Sequence, residues 1–556
     1  MKTYGNLTFD RTSKRWTITD LEPHVAIAFK RMFPRVPQTT LVLTMSDTDE
    51  IRSDLDWFMN RYPLAHDEGV ELRAGVERLA VRAAERDRIL LPTWQPGEVP
   101  GFRDGKQPYL YQTQAAQIAL QNPGLLVGDD VGLGKTITAV AACTMGAPMP
   151  AAVIVQAHLA NQWARRIEGF TTLRAHVIKT TKPYDLPPAD IYVFSYSKVI
   201  GWTEVIGTGF FQSVIYDEIQ ELRHGCGTSK GQVCRIASDK AAFRLGLTAT
   251  PIYNYGDEIH AVMEFVKPAL LGEIHEFMRE WCAGSRTVKD PDGLGSFLRD
   301  TGYFLRRNED DPAVSAAQPP ANVIDWEVAY DEVAAADEQA IMRSLAMTVM
   351  RGDFMEAGRA ARELDLKMRQ ITGIAKARSV AAYVKLLLRD TPRVLLAGWH
   401  REVYSIWEQE LREFNPVLYT GSETAAGKDR SVKAFTEGDA RVMMISLRSG
   451  IGLDGLQFHC QDVVFGELDW SPQVHHQIIG RLRRPGQDQQ VTAHYLHTNE
   501  GSDPVLLETL GIKSDQSRGI TEPGIAPRQR FTDDSRIKRL AAYVLGEDAP
   551  KMEQAA

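Results

Sequence analysis

The chain has 556 residues, too many for one ordinary core at roughly 100–200 residues per domain, so a small binding module is excluded. A hydrophobic fraction of 44% and a charged fraction of 24%, with 43 glycines and 28 prolines spread along the chain, exclude a wholly disordered or collagen-like polymer. A net charge of −8, from 64 basic and 72 acidic side chains, excludes a surface that binds polyanions all over, so any nucleic-acid contact has to be a local basic patch.

No run of about 18 apolar residues is present, and the first residues are polar where a secretory segment would be apolar. A soluble cytoplasmic protein with no membrane contact is expected. The cysteines, Cys143, Cys226, Cys234, Cys282 and Cys460, are odd in number and irregularly spaced, which fits neither a disulfide framework nor a paired zinc site.

In chain order, Leu7 and Phe9 alternate, a polar break spans 10–14, and Trp16 and Ile18 alternate again, the pattern of a hairpin. A helix and a strand at 40–45 follow. Ser46 or Asp47 is placed to cap a helix whose apolar stripe is Ile51, Leu55, Phe58 and Met59. A second helix, 68–91, carries Arg73, Arg78, Arg82, Arg86 and Arg88 among acids, either a solvated face or a DNA-facing one. Residues 1–95 read as a small accessory α+β domain.

From 105 onward short apolar runs at 125–127, 152–155, 190–194, 214–216 and 244–247 alternate with helical segments. Buried strands separated by helices predict a parallel, doubly wound sheet. The pattern returns at 394–396, 417–419, 442–445 and 463–465, which predicts a second α/β lobe. The expected division is 96–267 for the first lobe, 268–375 for helical insertions and linker, 376–510 for the second lobe, and 511–556 for a C-terminal helix with a disordered end.

Gly132-Leu-Gly-Lys135-Thr136 follows a strand and opens a helix, the setting of a phosphate loop, although Asp129 stands where the generic motif has its first glycine. Loop amides and the helix dipole would hold a polyphosphate, Lys135 would reach its β- and γ-phosphates, and Thr136 would ligate Mg²⁺. A structural glycine turn is the alternative. The later strand 214–216 ends in Asp217 and Glu218, at the strand end where α/β sheets bind ligands. Asp217 suits Mg²⁺, and Glu218 suits the water attacking a γ-phosphate, since phosphoryl transfer asks mainly for orientation and charge neutralisation. In the second lobe Arg481 and Arg484 stand three apart, on one face of a predicted helix, as arginine fingers or as a basic turn.

These motifs together resemble a superfamily-two helicase ATPase of the Swi/Snf double-stranded DNA translocase type. Tyr111-Gln112 resembles its Q-motif, Asp129 to Thr136 its form of motif I, 152–163 motif Ia, 194–196 the Ib region, and Thr248-Ala-Thr250-Pro251 motif III. Ser449-Gly450-Ile-Gly-Leu453 resembles motif V and 477–487 motif VI, while 463–472 is similar to the annealing-helicase branch. Departures are Gln220 in place of the histidine of D-E-A-H, and Ala157 in place of a proline in motif Ia.

The resemblance implies two RecA-like lobes and hydrolysis of ATP with Mg²⁺. It implies an ATP site of Gln112, Asp129, Gly132, Gly134, Lys135 and Thr136, metal ligation by Thr136 and Asp217, and catalysis by Lys135, Asp217, Glu218, Gln477, Arg481 and Arg484. Coupling falls to Gln220, Thr248 and Thr250, and backbone contact with double-stranded or forked DNA to His158, Asn161, Ser195, Tyr196, Ser449 and Gly450. Trp470 is either a core residue or a coupling residue near DNA, and Arg528, Arg530, Arg536, Lys538 and Arg539 form a further candidate patch. The expected function is a DNA-stimulated motor for fork remodelling or strand annealing in replication, recombination or repair, with a protein partner for 1–95. The compact insertions point to a bacterial or viral source. The alternatives are a strand-separating helicase, the motor of a restriction system, a remodeller of protein on DNA, or a non-hydrolysing scaffold.

Overall fold

The computed structural model describes residues 2–122, 124–249, 256–282, 287–308, 311–318, 321–336, 339–351, 354–447, 455–484, 487–507, 540–542 and 544–545. The chain forms two compact units, the first running chiefly to Ala313 and the second from Val314.

The first unit opens with the expected hairpin. Strands β1 (Asn6–Asp10) and β2 (Arg15–Thr19) pair antiparallel, with Phe9 opposite Trp16. The Asp10 carboxylate accepts from Thr12 N at 2.8 Å and Ser13 Oγ at 2.6 Å, which fixes the turn. Strand β3 (Leu43–Ser46) completes a three-stranded sheet. The next helix, Asp49–Arg61, is capped by Thr48, whose side chain accepts from Ile51 N, rather than by Ser46 or Asp47. Asp47 instead holds Arg52 Nε at 2.7 Å and Trp16 Nε1 at 2.8 Å.

The arginine-rich helix Gly69–Leu90 is neither simply solvated nor open to DNA along its length. Arg82 reaches Asp49, Glu50 and the Tyr303 hydroxyl, and Arg86 donates to the carbonyls of Arg299 and Asp300. Arg15–Glu276 at 3.1 Å and Arg35–Glu280 at 2.9 Å add to this ionic seam, which docks the N-terminal elements on the body of the unit.

That body is a seven-stranded sheet of order β10-β4-β9-β8-β5-β7-β6, parallel throughout. The strands are β4 (Leu125–Val127), β5 (Ala151–Val155), β6 (Ala175–Val177), β7 (Ile191–Ser195), β8 (Ser213–Asp217), β9 (Phe243–Leu247) and β10 (Phe304–Leu305). Strands β4, β5 and β7 are buried at every position, as a sheet covered on both faces requires. Because all seven run the same way, the segments after β4, β5, β7, β8 and β9 leave from one edge, which brings Lys135, His158, Tyr196, Asp217 and Thr248 to that side of the sheet.

The second unit holds a six-stranded parallel sheet of order β11-β16-β15-β12-β14-β13. Its strands are β11 (Asn322–Glu327), β12 (Val394–Gly398), β13 (Val417–Tyr419), β14 (Val442–Ser446), β15 (Asp462–Phe465) and β16 (Thr492–His497). Alternate residues serve two cores: Leu395, Met443, Ile445, Val463 and Phe465 pack on one face, and Val394, Leu396, Val442, Met444 and Val464 on the other. Trp407 is fully buried in the second core, and a Cβ on Gly398 or Gly466 would lie 2.6 or 2.5 Å from its ring, so only glycine admits it there. Trp470 belongs to the first core, and its indole donates to Asp365 at 2.6 Å, which settles it as a core residue. The C-terminal arginine patch lies outside the described residues.

Candidate functional site

After β4 the chain turns through residues 128–134 and enters the helix Lys135–Thr144. Gly132 and Gly134 have φ of +90° and +70°, a left-handed backbone that costs glycine little. A side chain on Gly134 would also run into Gln112 Nε2 at 2.5 Å, so the Q-motif glutamine lies directly against the loop. Gln112 Oε1 accepts from Tyr109 N at 3.0 Å, which fixes the glutamine at the start of the helix Leu110–Gln121.

Lys135 Nζ donates to the carbonyls of Asp129 at 2.8 Å and Asp130 at 3.1 Å. Burial pushes its pKa down, against the fields of Glu218, Asp129, Asp130 and Asp217. Burial pushes the Asp217 carboxyl up, and the neighbouring Glu218 charge adds to this. A half-buried ammonium and a half-buried pair of carboxylates, each partly stripped of water, are the donor set that a polyphosphate with its divalent cation would complete. The residues present therefore fit ATP and Mg²⁺: Lys135 and the loop amides for phosphate, Thr136 and Asp217 for the metal.

Glu218 follows at φ +50°, a left-handed backbone for a side chain that avoids it, at a cost of about 1–3 kcal/mol. Gln220 Nε2 donates to Glu218 Oε2 at 2.5 Å, so the residue replacing the D-E-A-H histidine holds the catalytic candidate in place. Thr248, just past β9, is buried and its N–H donates to Val127 O at 3.0 Å, beside the strand that leads into motif I. Thr250 lies outside the described residues.

Asp129, expected to contact ATP, has its carboxylate turned away from that task. It is fully buried against Arg307, which donates through Nε at 3.0 Å, its backbone N–H at 3.1 Å and Nη2. Arg307 also donates to the Tyr111 carbonyl and lies 5.2 Å from the Tyr111 ring centroid. Its neighbour Arg306 reaches Asp130 Oδ1 at 2.7 Å and the carbonyls of Gly128 and Ala249. Sequence reasoning missed both arginines; the only signal was two basic residues directly after a short apolar pair.

Of the DNA-contact candidates in the first unit, His158 and Asn161 are exposed, on and just after the turn Ala157–Leu159. Ser195 and Tyr196 are buried, and the Tyr196 hydroxyl donates to the Asp217 carbonyl at 3.0 Å, so neither side chain faces solvent. Ser449 and Gly450 lie outside the described residues. In the second unit Gln477, half-buried, and Arg481 are on the helix Pro472–Leu482. That helix ends before Arg484, which is therefore not on the same helical face as Arg481; its Nε donates back to Gly480 O at 3.0 Å.

The model of the SNF2-related domain matches residues 49–323. The uncharacterized ATP-dependent helicase YqhH of Bacillus subtilis (strain 168) is 23% identical over 79% of this chain and 84% of its own length. The DNA annealing helicase and endonuclease ZRANB3 of Mus musculus is 26% identical over 77% of this chain, which spans 42% of that protein. The Sulfolobus solfataricus SWI2/SNF2 ATPase core in complex with dsDNA aligns with 78% of this chain and 100% of that one, at 19% identity and a TM-score of 0.39.

Proposed function

We propose that this chain, which carries an SNF2-related domain over residues 49–323, is an ATP-hydrolysing motor that moves along double-stranded DNA. The observation that carries the reading is local: motif I after β4 and the Asp217–Glu218 pair after β8 leave from the same end of one parallel sheet, separated by β9 alone.

Lys135 and the loop amides bind and orient the phosphates, and Thr136 and Asp217 hold Mg²⁺, which neutralises charge on the β- and γ-phosphates when bound. Glu218, pinned by Gln220, orients the attacking water and takes its proton. Arg481 and Arg484 are the second unit's candidate arginine fingers, a role worth roughly 10³–10⁵ in rate in known cases. His158 and Asn161 are assigned to the phosphate backbone of the duplex, with Ser449 and Gly450 as the second-unit partners; such polar contacts track DNA without reading sequence. The reading extends to fork remodelling or strand annealing in replication, recombination or repair. The part that concerns DNA is supported by a relative named as a DNA annealing helicase, of whose length this chain spans 42%. The face of residues 1–95 turned away from the ionic seam is the surface proposed for a replication or recombination protein.

The test is steady-state ATP hydrolysis with no DNA, single strand, duplex and a forked junction, with Glu218→Gln as the blank. Stimulation by duplex or fork well above single strand is expected. Preference for single strand would replace the reading with a strand-separating helicase, and absence of hydrolysis with a scaffold.

A further inference from the structure

Asp217, the metal ligand of the proposed reaction, is gripped from two directions by residues to which that reaction gives no role. Trp163 lies on the helix Ala160–Phe170, whose buried side is Ala160, Trp163 and Ile167, and the residue is 3% exposed. The indole Nε1–H donates to Asp217 Oδ2 at 2.7 Å, the length of a charge-assisted bond. One turn further on, Arg166 Nη1 stands 3.4 Å from Thr136 Oγ1, so one helix touches both candidate metal ligands. From the other side Tyr196, just past β7 and 6% exposed, donates its hydroxyl to the Asp217 carbonyl at 3.0 Å, and Lys230 Nζ lies 5.4 Å from its ring centroid.

A carboxylate at the end of a strand can swing about two side-chain torsions. A bond to one oxygen removes most of that freedom and turns the other oxygen toward a fixed place, while the bond to the carbonyl fixes the backbone from which the side chain springs. Groups that hold metal ligands in this way affect metal affinity almost as strongly as the ligands do. We infer that Trp163 and Tyr196 are positioning residues that aim the Asp217 carboxylate at the divalent cation, Trp163 through the carboxylate and Tyr196 through the backbone. The inference rests on the reading of Asp217 as a Mg²⁺ ligand.

The experiment reads binding rather than turnover. A fluorescent ADP analogue is titrated into the full chain across a series of Mg²⁺ concentrations and in EDTA, for the wild type, Trp163→Phe, Tyr196→Phe and Asp217→Ala. Trp163→Phe keeps an aromatic ring and loses the donor. It should raise the Mg²⁺ concentration needed for half-maximal tightening by about 10-fold or more, with the affinity in EDTA unchanged. Tyr196→Phe, which removes only a hydroxyl, should shift it in the same direction by less, and provides the test if Trp163→Phe does not fold. In the Asp217→Ala background neither change should have a further effect. Unchanged Mg²⁺ dependence in both variants, or equal loss with and without Mg²⁺, overturns the inference. If the wild type shows no Mg²⁺-dependent tightening, or Asp217→Ala leaves it intact, the nucleotide-site reading itself fails, a result separate from either of these.

Discussion

Arg307→Ala should unsettle the first unit and motif I together. Arg307 is 4% exposed and Asp129 fully buried, and the pair is joined by the Arg307 side chain and backbone N–H, with the Tyr111 carbonyl as a further acceptor. Removing one partner of such a pair leaves an uncompensated buried charge, at a cost of about 3–5 kcal/mol. At about 2–4 °C per kcal/mol for a large domain, the first unit should melt about 6–20 °C lower, with the low end favoured by its size. Arg307→Lys keeps the charge but not the fork that spans Asp129 and the carbonyl, so it should recover less than half of the loss. Asp129→Asn should destabilise similarly, and Arg307→Ala combined with Asp129→Asn should cost less than the sum of the two single changes. Scanning calorimetry of the four variants supplies the values. Nucleotide affinity should fall alongside, because the Asp129 carbonyl is an acceptor for Lys135. A loss below about 1 kcal/mol for Arg307→Ala, or strict additivity in the double variant, would refute the argument that the pair braces motif I.

Arg484→Ala should slow hydrolysis with little loss of ATP binding, measured as separate turnover and nucleotide titration; equal loss of both would assign Arg484 a structural role. Burial beside Phe465 and Tyr495 pushes the His475 imidazole down to about 4. The folded state therefore refuses a proton that the unfolded chain accepts, and stability falls as pH drops from about 6.5 toward 4, by up to about 1.4 kcal/mol per pH unit. His475→Gln should flatten that slope in denaturant titrations of the second unit. Burial raises the Asp54 carboxyl to about 6, eased by Arg35 and worsened by Glu280 and Glu50. Its pKa lies above the unfolded value, so its contribution favours folding at low pH and is lost as pH rises through 6. Asp54→Asn should therefore stabilise the first unit at pH 7.5, with the gain gone by pH 4, as denaturant midpoints would report.

Much of the candidate site was legible because its residues are local in sequence. The Gly132–Thr136 loop, the Asp217–Glu218 strand end and the Gln112 position each carry their setting in a few neighbouring residues. What escaped was held by distant partners. Arg307 is 178 residues from Asp129, and Trp163 is 54 from Asp217; no spacing rule links such pairs. Burial of Ser195 and Tyr196 escaped for the same reason: a serine and a tyrosine after a strand look the same in sequence whether they face solvent or turn back onto motif II.

Alone, the sequence determined the fold class, because continuous apolar runs separated by helices have one compact solution, a parallel sheet covered on both faces. It also determined that phosphate-binding and acidic strand ends would share an edge, since parallel strands send all their C-terminal ends the same way. Tertiary structure alone decided how the sheets are completed. Strands β10 and β11 come from the stretch read as insertions and linker, and β6 and β16 are too weakly patterned to stand out. It also decided which charges face outward. Arg82, Arg86 and Arg307 are ordinary surface residues by composition, and become half-buried or, for Arg307, buried ties only because folding brings carboxylates and carbonyls within about 3 Å, where a hydrogen-bonded ion offsets the cost of leaving water.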